Sequence, residues 1–473
     1  MGTPSTSIRE LATAVTAGTL QAIDVTEEAL DRCERAQPAL NAFTSLDHEG
    51  ARAAARAVDA AVAAGENPGP LAGVPVAVKD LFDQAGLPNT RGSSAPPAIP
   101  VSTAPSVQRL EAAGAVVIGR TGLHEYAFGF SSENHWFGPV HNPWDLSLSP
   151  GGSSGGSGAA VSAGLVAATL GTDTGGSVRV PAALCGVVGL KVTHGRVPLR
   201  GVFPLAPSAD TVGPLARSIG DCAAVYEVIA GDDPLDPWSV PAPVDPVGAP
   251  ADLSKLTVGI PRPWVDIPVV DDQRAAFKRL LDDLSDAGAR IIDLEIPELG
   301  PSHQSIPSLF FEVARIHRDR LIAAPEQYGP EVRERLQAAL SVTGEEYLTA
   351  LEWRRATLAS ALRAFDRVDV LATPTVASLR KTIGEETVQL GGEEVHYVVG
   401  KASFTTPVNH MGLPALAVPL PGGSAPPPSA QFIGRPWSET RLLEVGLALE
   451  EVGLIEAREP PFWQPGSVDP ILE

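Results

Sequence analysis

This chain of 473 residues is poor in cysteine, with only Cys33, Cys185 and Cys222. Three widely separated cysteines cannot build a disulfide framework, and their spacing does not match a metal site. Positive charge is also scarce, because 35 Lys and Arg residues stand against 56 Asp and Glu residues, which gives a net charge of −21. Such an acidic chain repels nucleic acid and anionic membranes, so neither is expected as the main partner.

Long apolar runs are missing as well. The longest stretch of small apolar residues, at about 159–170, is too short to span a bilayer, and residues 1–10 contain no apolar segment that would direct secretion. Apolar residues nevertheless make up 44% of the chain, which suffices for a large core. With 46 glycines and 45 prolines, much of the chain must form turns. We expect a reduced, cytoplasmic, loop-rich protein.

The hydrophobic pattern predicts an α/β protein with a single domain over residues 1–473. Its predicted parts are an N-terminal helical part at 1–65, a glycine-punctuated core at 70–217, a Pro- and Asp-rich surface excursion at 231–252 and a C-terminal α/β part at 255–473. Ser7 with Glu10, and Asp24 with Glu27, have the spacing of capping boxes and predict two helix starts. In the C-terminal part, the pattern predicts strands at 256–260, 291–294, 368–371 and 415–420, and helices around 277–284, 302–364 and 440–452.

The densest cluster of small residues is the Gly- and Ser-rich segment 150–158. A flexible linker would continue into polar sequence, but this segment runs into the apolar residues 159–166, so it predicts the start of a buried helix. No lysine follows the glycines as a phosphate-binding loop requires. Ser153 also satisfies the G-x-S-x-G pattern of a nucleophile elbow, but the residues before it are poor strand formers, and nothing singles out a partner such as His410.

Two further features could take part in the same chemistry. Gly175 and Gly176 allow a close backbone approach, and successive N–H groups there could form an oxyanion pocket beside Ser177. Lys79 ends an apolar strand, and burial would lower the pKa of its amine enough to make it a base near pH 7. A serine hydroxyl needs such a base to become a nucleophile. The histidines, in contrast, lack ligand spacing and are expected to be structural or on the surface; they include His124, His135, His141, His194, His303, His317, His396 and His410.

Taken together, Gly73–Asp80, Gly151–Gly156 and Gly171–Arg179 resemble the signature of the amidase signature family. Similarities at 189–197, 210–217, 374–375, 406–414 and 431–434 extend the resemblance over nearly the whole chain. The resemblance implies a mixed β-sheet sandwiched between α-helical layers. Val192, Ala209 and the segment 421–430 depart from the family pattern and leave the subfamily open.

The resemblance also implies a Ser–Ser–Lys triad. By position, Ser177 is the nucleophile, Ser153 the bridging serine beside a cis peptide near Ser153–Ser154, and Lys79 the base; spacing alone does not choose Ser153 over Ser154 or Ser157. The implied oxyanion hole uses the backbone N–H groups of Thr174, Gly175, Gly176 and Ser177. Asp173 and Arg179 match positions that hold the turn in shape, and no metal or cofactor is implied.

The implied function is hydrolysis of a small-molecule carboxamide to an acid and ammonia or an amine, through a serine acyl-enzyme. Two alternatives stay open: the glutaminase-type component (the A chain) of a tRNA-dependent amidotransferase, and an inactive scaffold of the same fold. A homodimer is plausible from the resemblance only. The acyl pocket is expected from residues 126–136, 305–317 and 403–410, and five aromatic residues suggest an apolar or aromatic acyl group: Phe130, Trp136, Phe137, Phe310 and Phe311.

Overall fold

The computed structural model describes residues 6–299 and 302–463, without the side chains of Ser302 and His303. The strands of the described residues are β1 (Phe43–Leu46), β2 (Pro75–Lys79), β3 (Val116–Thr121), β4 (Glu133–Asn134), β5 (Gly138–Pro139), β6 (Ala168–Thr172), β7 (Val188–Lys191), β8 (Val212–Ala216), β9 (Thr257–Arg262), β10 (Arg290–Glu295), β11 (Val370–Pro374), β12 (Thr387–Leu390), β13 (Glu393–His396), β14 (Ala415–Pro419) and β15 (Ser429–Ile433).

The α-helices of the same residues are α1 (Ile8–Thr16), α2 (Ala22–Leu40), α3 (His48–Ala63), α4 (Pro105–Ala112), α5 (Gly155–Ser162), α6 (Arg179–Cys185), α7 (Ile219–Ile229), α8 (Asp271–Asp286), α9 (Ile306–Ala323), α10 (Pro330–Ala339), α11 (Gly344–Ala364), α12 (Tyr397–Ala402), α13 (Thr406–Met411) and α14 (Glu439–Glu451). Among the described residues, no helix combines the length and the apolar character needed to cross a lipid bilayer.

One mixed sheet of eleven strands organises the fold, in the order β1-β3-β2-β6-β8-β7-β14-β15-β11-β9-β10. The β3, β2 and β6 strands run parallel to one another, as do β11, β9 and β10, while the strands between these two groups pair antiparallel. Helices pack against the sheet, for example α5 against β6 and α14 against β14. The predicted α/β architecture, with a mixed sheet between helical layers, is confirmed.

The helix starts show where local sequence decides the structure. Ser7 and Glu10 form the predicted capping box at the start of α1. The capping box predicted at Asp24 and Glu27 is wrong, because α2 already begins at Ala22 and Asp24 lies inside its first turn. The carboxylate of Asp59, on α3, instead accepts hydrogen bonds from the first backbone N–H groups of α2, at 2.7 and 3.0 Å. A partner on another helix therefore replaces the local cap.

The central strands are buried on both faces, which explains their continuous apolar runs. All five residues of β2 are buried, and so are all five of β6 and of β14. Residues 231–252, the predicted surface excursion, form irregular backbone between α7 and β9 with many exposed positions. Two carboxylates of this segment, on Asp233 and Asp236, are buried nevertheless. The sheet joins strands from both halves of the chain, while the division into four parts stays a prediction.

Candidate active site

Lys79 is the last residue of β2, a central strand that lies between β3 and β6. Its side chain is fully buried, with Nζ 2.7 Å from Ser153 Oγ and 2.8 Å from Thr172 Oγ1. Burial lowers the pKa of Lys79 to about 7, although the charges of Asp173 and Asp210 oppose that shift. A lysine with such a pKa is substantially neutral near neutral pH, which an exposed lysine is not.

Ser153 lies in the tight turn that precedes α5, the buried helix predicted from the small residues after it. The cis peptide is the Gly152–Ser153 bond, one residue before the Ser153–Ser154 vicinity that the resemblance suggested. A Cβ at Gly152 would meet the backbone of Phe130 and Ser131 at 2.8 Å. Only a glycine therefore fits where the turn crosses that backbone.

The three serines that spacing could not separate have different partners in the structure. Ser153 is the one that contacts Lys79. The Ser154 hydroxyl exchanges hydrogen bonds of 3.3 Å with the backbone of Thr172, and the Ser157 hydroxyl lies 2.7 Å from Thr121 Oγ1. Ser154 and Ser157 thus hold α5 against neighbouring strands, while Ser153 faces the buried amine.

Ser177 lies on the loop between β6 and α6. The Ser177 carbonyl accepts a hydrogen bond of 3.3 Å from the Ser154 N–H, so this loop lies against the Ser153 turn. The Ser177 hydroxyl makes no hydrogen bond with the described residues, and Ser177 lines a cavity. Within the described part of the chain, the backbone N–H groups of Thr174, Gly175, Gly176 and Ser177 also lack an acceptor. The structure therefore brings four unused backbone donors and one unused hydroxyl together.

A buried ion pair shapes this loop. The Asp173 carboxylate accepts hydrogen bonds from the backbone N–H groups of Val178 and Arg179, and from the Arg179 guanidinium at 3.1 Å. The guanidinium also donates to the side chains of Asn409 and Gln431. Because every partner is buried, the ion pair is fully hydrogen-bonded and fixes the direction of the loop.

The cavity lined by Ser177 has a volume of about 390 Å³ and is mostly apolar. Each of the three segments predicted to form it contributes residues, and the predicted aromatic residues Phe130 and Phe310 line it. Its mouth carries Ile306 and Val399, which are 36% and 50% exposed. Among the described residues that line this cavity, none is Asp or Glu.

Three aromatic residues predicted to line the cavity do not, so that prediction is wrong for them. The Trp136 indole instead donates a hydrogen bond of 2.9 Å to the carboxylate of Glu125. Phe137 is 37% exposed at the surface, and the Phe311 ring stacks on Tyr347 at 4.6 Å.

The sequence interpretation missed lining residues outside the signature core, in the helical region and the C-terminal part. Arg335, on α10, lines the cavity and donates to the Phe128 carbonyl and the Tyr397 hydroxyl at 2.8 and 2.9 Å. It also forms an ion pair of 2.8 Å with Glu331. The signal available for Arg335 was its place on a predicted helix, which does not distinguish a cavity wall from a solvated face.

The histidines predicted to be structural mostly contact protein groups. His410 packs on Trp353, and its Nε2 lies 2.9 Å from the Ala350 carbonyl, away from both serines. The buried ring of His124 lies 3.7 Å from Glu331. His396 is at the surface and lines the cavity mouth, whereas the side chain of His303 lies outside the described residues.

Comparison with known proteins gives matches over most of the chain. The family model Amidase matches residues 24–443. The A chain of the glutamyl-tRNA(Gln) amidotransferase of Anaeromyxobacter sp. (strain K) is 39% identical over 485 residues, which cover 96% of this chain and 98% of that protein.

Solved structures agree with these matches. A chain described by the words "An unexpected vestigial protein complex reveals the evolutionary origins of an s-triazine catabolic enzyme" superposes with a TM-score of 0.89 and 35% identity, covering 96% of this chain and all of that one. A protein described as "Crystal structure of amidase" superposes with a TM-score of 0.86 and 36% identity, over 94% of this chain and 100% of that one.

Proposed function

The chain belongs to the amidase signature family, and from that membership we propose that it hydrolyses a small-molecule carboxamide, with Ser177 as nucleophile, Ser153 as bridge and Lys79 as base. The observation that carries the proposal is the buried contact of 2.7 Å between Lys79 Nζ and Ser153 Oγ, next to the loop that presents Ser177 to the cavity. A hydroxyl and an amine at this distance can exchange a proton.

Lys79 acts in its neutral form. A neutral amine has two N–H bonds and one lone pair, so Nζ donates to Thr172 Oγ1 while its lone pair accepts the Ser153 proton. Ser153 in turn accepts the proton of Ser177 as Ser177 Oγ attacks the amide carbonyl. With a pKa of about 7, about half of the molecules have the neutral amine at pH 7, against roughly 1 in 3,000 for an ordinary lysine.

The unused N–H groups of Thr174, Gly175, Gly176 and Ser177 form the oxyanion hole of the proposed reaction. A preorganised donor of this kind contributes about 3–4 kcal/mol of transition-state stabilisation. The proton that left Ser177 returns through Ser153 to the nitrogen of the leaving group. The C–N bond then breaks, and water cleaves the Ser177 ester to give the acid.

The cavity supports an apolar acyl group. Its walls are mostly aliphatic and aromatic, including Phe128, Phe130 and Phe310. Free glutamine carries an α-ammonium group, and the described lining residues offer it no carboxylate. Arg335 lines the cavity with its charge already paired to Glu331. Because an unpaired buried charge costs several kcal/mol, this lining favours an uncharged acyl group over glutamine.

The second candidate is the glutaminase-type A chain of an amidotransferase, which is favoured by the 39% identity to such a protein over nearly the full length of both chains. A chain with that function would work beside partner chains, and the isolated chain would act on glutamine rather than on apolar amides.

The test is mass-spectrometric detection of product acids from a panel of aryl and alkyl carboxamides, ureido acids, peptide amides and glutamine. We expect the isolated chain to cleave apolar carboxamides and the Ser177→Ala variant to cleave none. Ser162→Ala is the matched control, because Ser162 is a buried serine whose hydroxyl donates to the Cys185 carbonyl.

Each other outcome points to a different alternative. Turnover that survives in Ser177→Ala would refute the nucleophile assignment. Turnover of glutamine alone would favour the amidotransferase component, and no turnover by any variant would favour a missing partner or an inactive scaffold.

A further inference from the structure

A second cavity of about 300 Å³ lies beside the cavity that Ser177 lines. Ala127, Thr174 and Leu205 line both cavities, so the two share a wall. Thr172 also lines the second cavity, and its hydroxyl is 2.8 Å from Lys79 Nζ. The proposed proton relay therefore lies next to this space as well as next to the acyl cavity.

The outer wall of the second cavity comes from the excursion at 231–252. Leu235 and Trp238 line the cavity and are 73% and 40% exposed, so it opens to solvent between them. Buried carboxylates hold this wall in place, because Asp233 pairs with Arg200 at 2.5 Å and Asp236 accepts hydrogen bonds from the backbone N–H groups of Leu199 and Arg200. The wall is thus built into the fold and does not depend on a ligand.

We propose that this second cavity, the amine chamber, binds the amine half of the substrate and releases it to solvent on the side away from the acyl cavity. The proposal rests on the proposed function and extends it. It assigns a secondary amide, R–CO–NH–R′, as the substrate, with R in the cavity of Ser177 and R′ in the amine chamber.

The reaction balances with water as the only co-reactant. Ser177 Oγ bonds to the carbonyl carbon, the C–N bond breaks, and the Ser177 proton ends on nitrogen, so that R′NH₂ leaves. Water then adds to the acyl-enzyme, giving RCOOH and restoring the Ser177 hydroxyl. The nitrogen is protonated from the relay of Lys79 and Ser153, next to the chamber that receives the amine.

The lining defines the class of amine. Most of the wall is apolar, with the rings of Phe203 and Trp238 among prolines and aliphatic residues. The Asp210 carboxylate is already hydrogen-bonded to Thr174 and to the backbone N–H groups of Leu205 and Ala206. A cavity of about 150 Å³ holds benzene, so 300 Å³ accommodates a substituted aryl group. The amine is therefore an arylamine or bulky alkylamine, since ammonia would leave this space unused.

The kinetic test compares two substrates with the same acyl group, a primary amide and its anilide. Leu235→Ala and Trp238→Ala remove chamber wall at exposed positions, which limits the risk to folding. We expect each to lower the ratio of kcat/KM for the anilide to kcat/KM for the primary amide, by about fivefold for Trp238→Ala because one aromatic contact is lost. Trp437→Ala, at a tryptophan of 37% exposure that lines neither cavity, should leave the ratio unchanged.

A binding test separates failure of this inference from failure of the proposed function. Aniline is titrated by NMR into the Ser177→Ala protein, which needs no turnover. We expect saturable binding that weakens severalfold when Trp238→Ala is added and persists when Trp437→Ala is added. Absence of saturable binding, or equal effects of both tryptophan variants on binding or on the kinetic ratio, would overturn the amine chamber even if primary amides are cleaved. Aniline binding without any amide cleavage would support the chamber and refute the hydrolase.

Discussion

Replacing Thr172 with valine tests whether Lys79 is the base, because Thr172 Oγ1 is one of the two groups that contact Nζ. The substitution keeps the shape of the side chain and removes only the hydroxyl. The backbone of Thr172 keeps its hydrogen bonds to Ser154 Oγ and its place in β6. The expected change is therefore confined to the amine.

The hydroxyl stabilises the ammonium form of Lys79 more than the neutral form. A hydrogen bond from a charged group is worth about 1 kcal/mol more than one from a neutral group, which corresponds to roughly 0.7 in pKa. Thr172→Val should move the pKa of Lys79 down from about 7 by that amount. For a primary amide, kcat/KM at pH 6 should then rise from about 0.1 to about 0.3 of its alkaline plateau.

The assay is the pH dependence of kcat/KM between pH 5 and 9.5, which reports the pKa of the free enzyme. Thr169→Val is the matched control, since Thr169 is a buried threonine of the same strand whose hydroxyl is directed to the Ser157 carbonyl at 3.4 Å. Activity should rise with pH through a midpoint near 7 in the wild type. A flat profile, or an equal shift of the midpoint in both variants, would refute a neutral Lys79 as the base.

Three further predictions concern the loop of Ser177 and the buried charges. Gly176→Ala places a methyl group against Thr405 Oγ1 at a φ of +134°, so kcat/KM should fall about 100-fold, with a smaller loss in Gly175→Ala. Asn409→Ala leaves the Asp173–Arg179 pair underbonded, and urea denaturation should show a loss of about 2–3 kcal/mol. Burial lowers the pKa of Lys401 to about 7; the unfolded chain therefore binds an extra proton between about pH 7 and 10.5. Lys401→Met should accordingly flatten the rise of stability with pH across that window.

The parts of the site that the sequence predicted are those where one short segment determines the geometry. An apolar strand that ends in lysine buries that lysine, which is how β2 presents Lys79. Small residues after the glycines indicated that α5 begins at the Ser153 turn and is buried. Residue patterns of this kind act through backbone freedom and burial, which do not require knowledge of distant segments.

The walls of the cavity could not be predicted in this way. Val399 and Arg335 lie on helices far along the chain, where apolar and charged residues have the same pattern as a core or a solvated face. Trp136 was predicted as lining because it is aromatic and lies near the signature core, but Glu125 supplies a partner for its indole N–H. The cap at α2 failed similarly, since Asp59 belongs to another helix. Each miss depends on which segments meet in space.

The strand order determines when during synthesis the chain can become active. Asn409 and Gln431, which hold the guanidinium of Arg179, follow it by 230 and 252 residues, and β7 pairs with β14 from the same late part of the chain. A nascent chain that has only its first half outside the ribosome thus lacks the partners that shape the loop of Ser177 and carries β7 as an open edge. Premature termination before 431 should therefore release chains that are inert and prone to aggregate, so no reactive serine is present before translation is nearly complete.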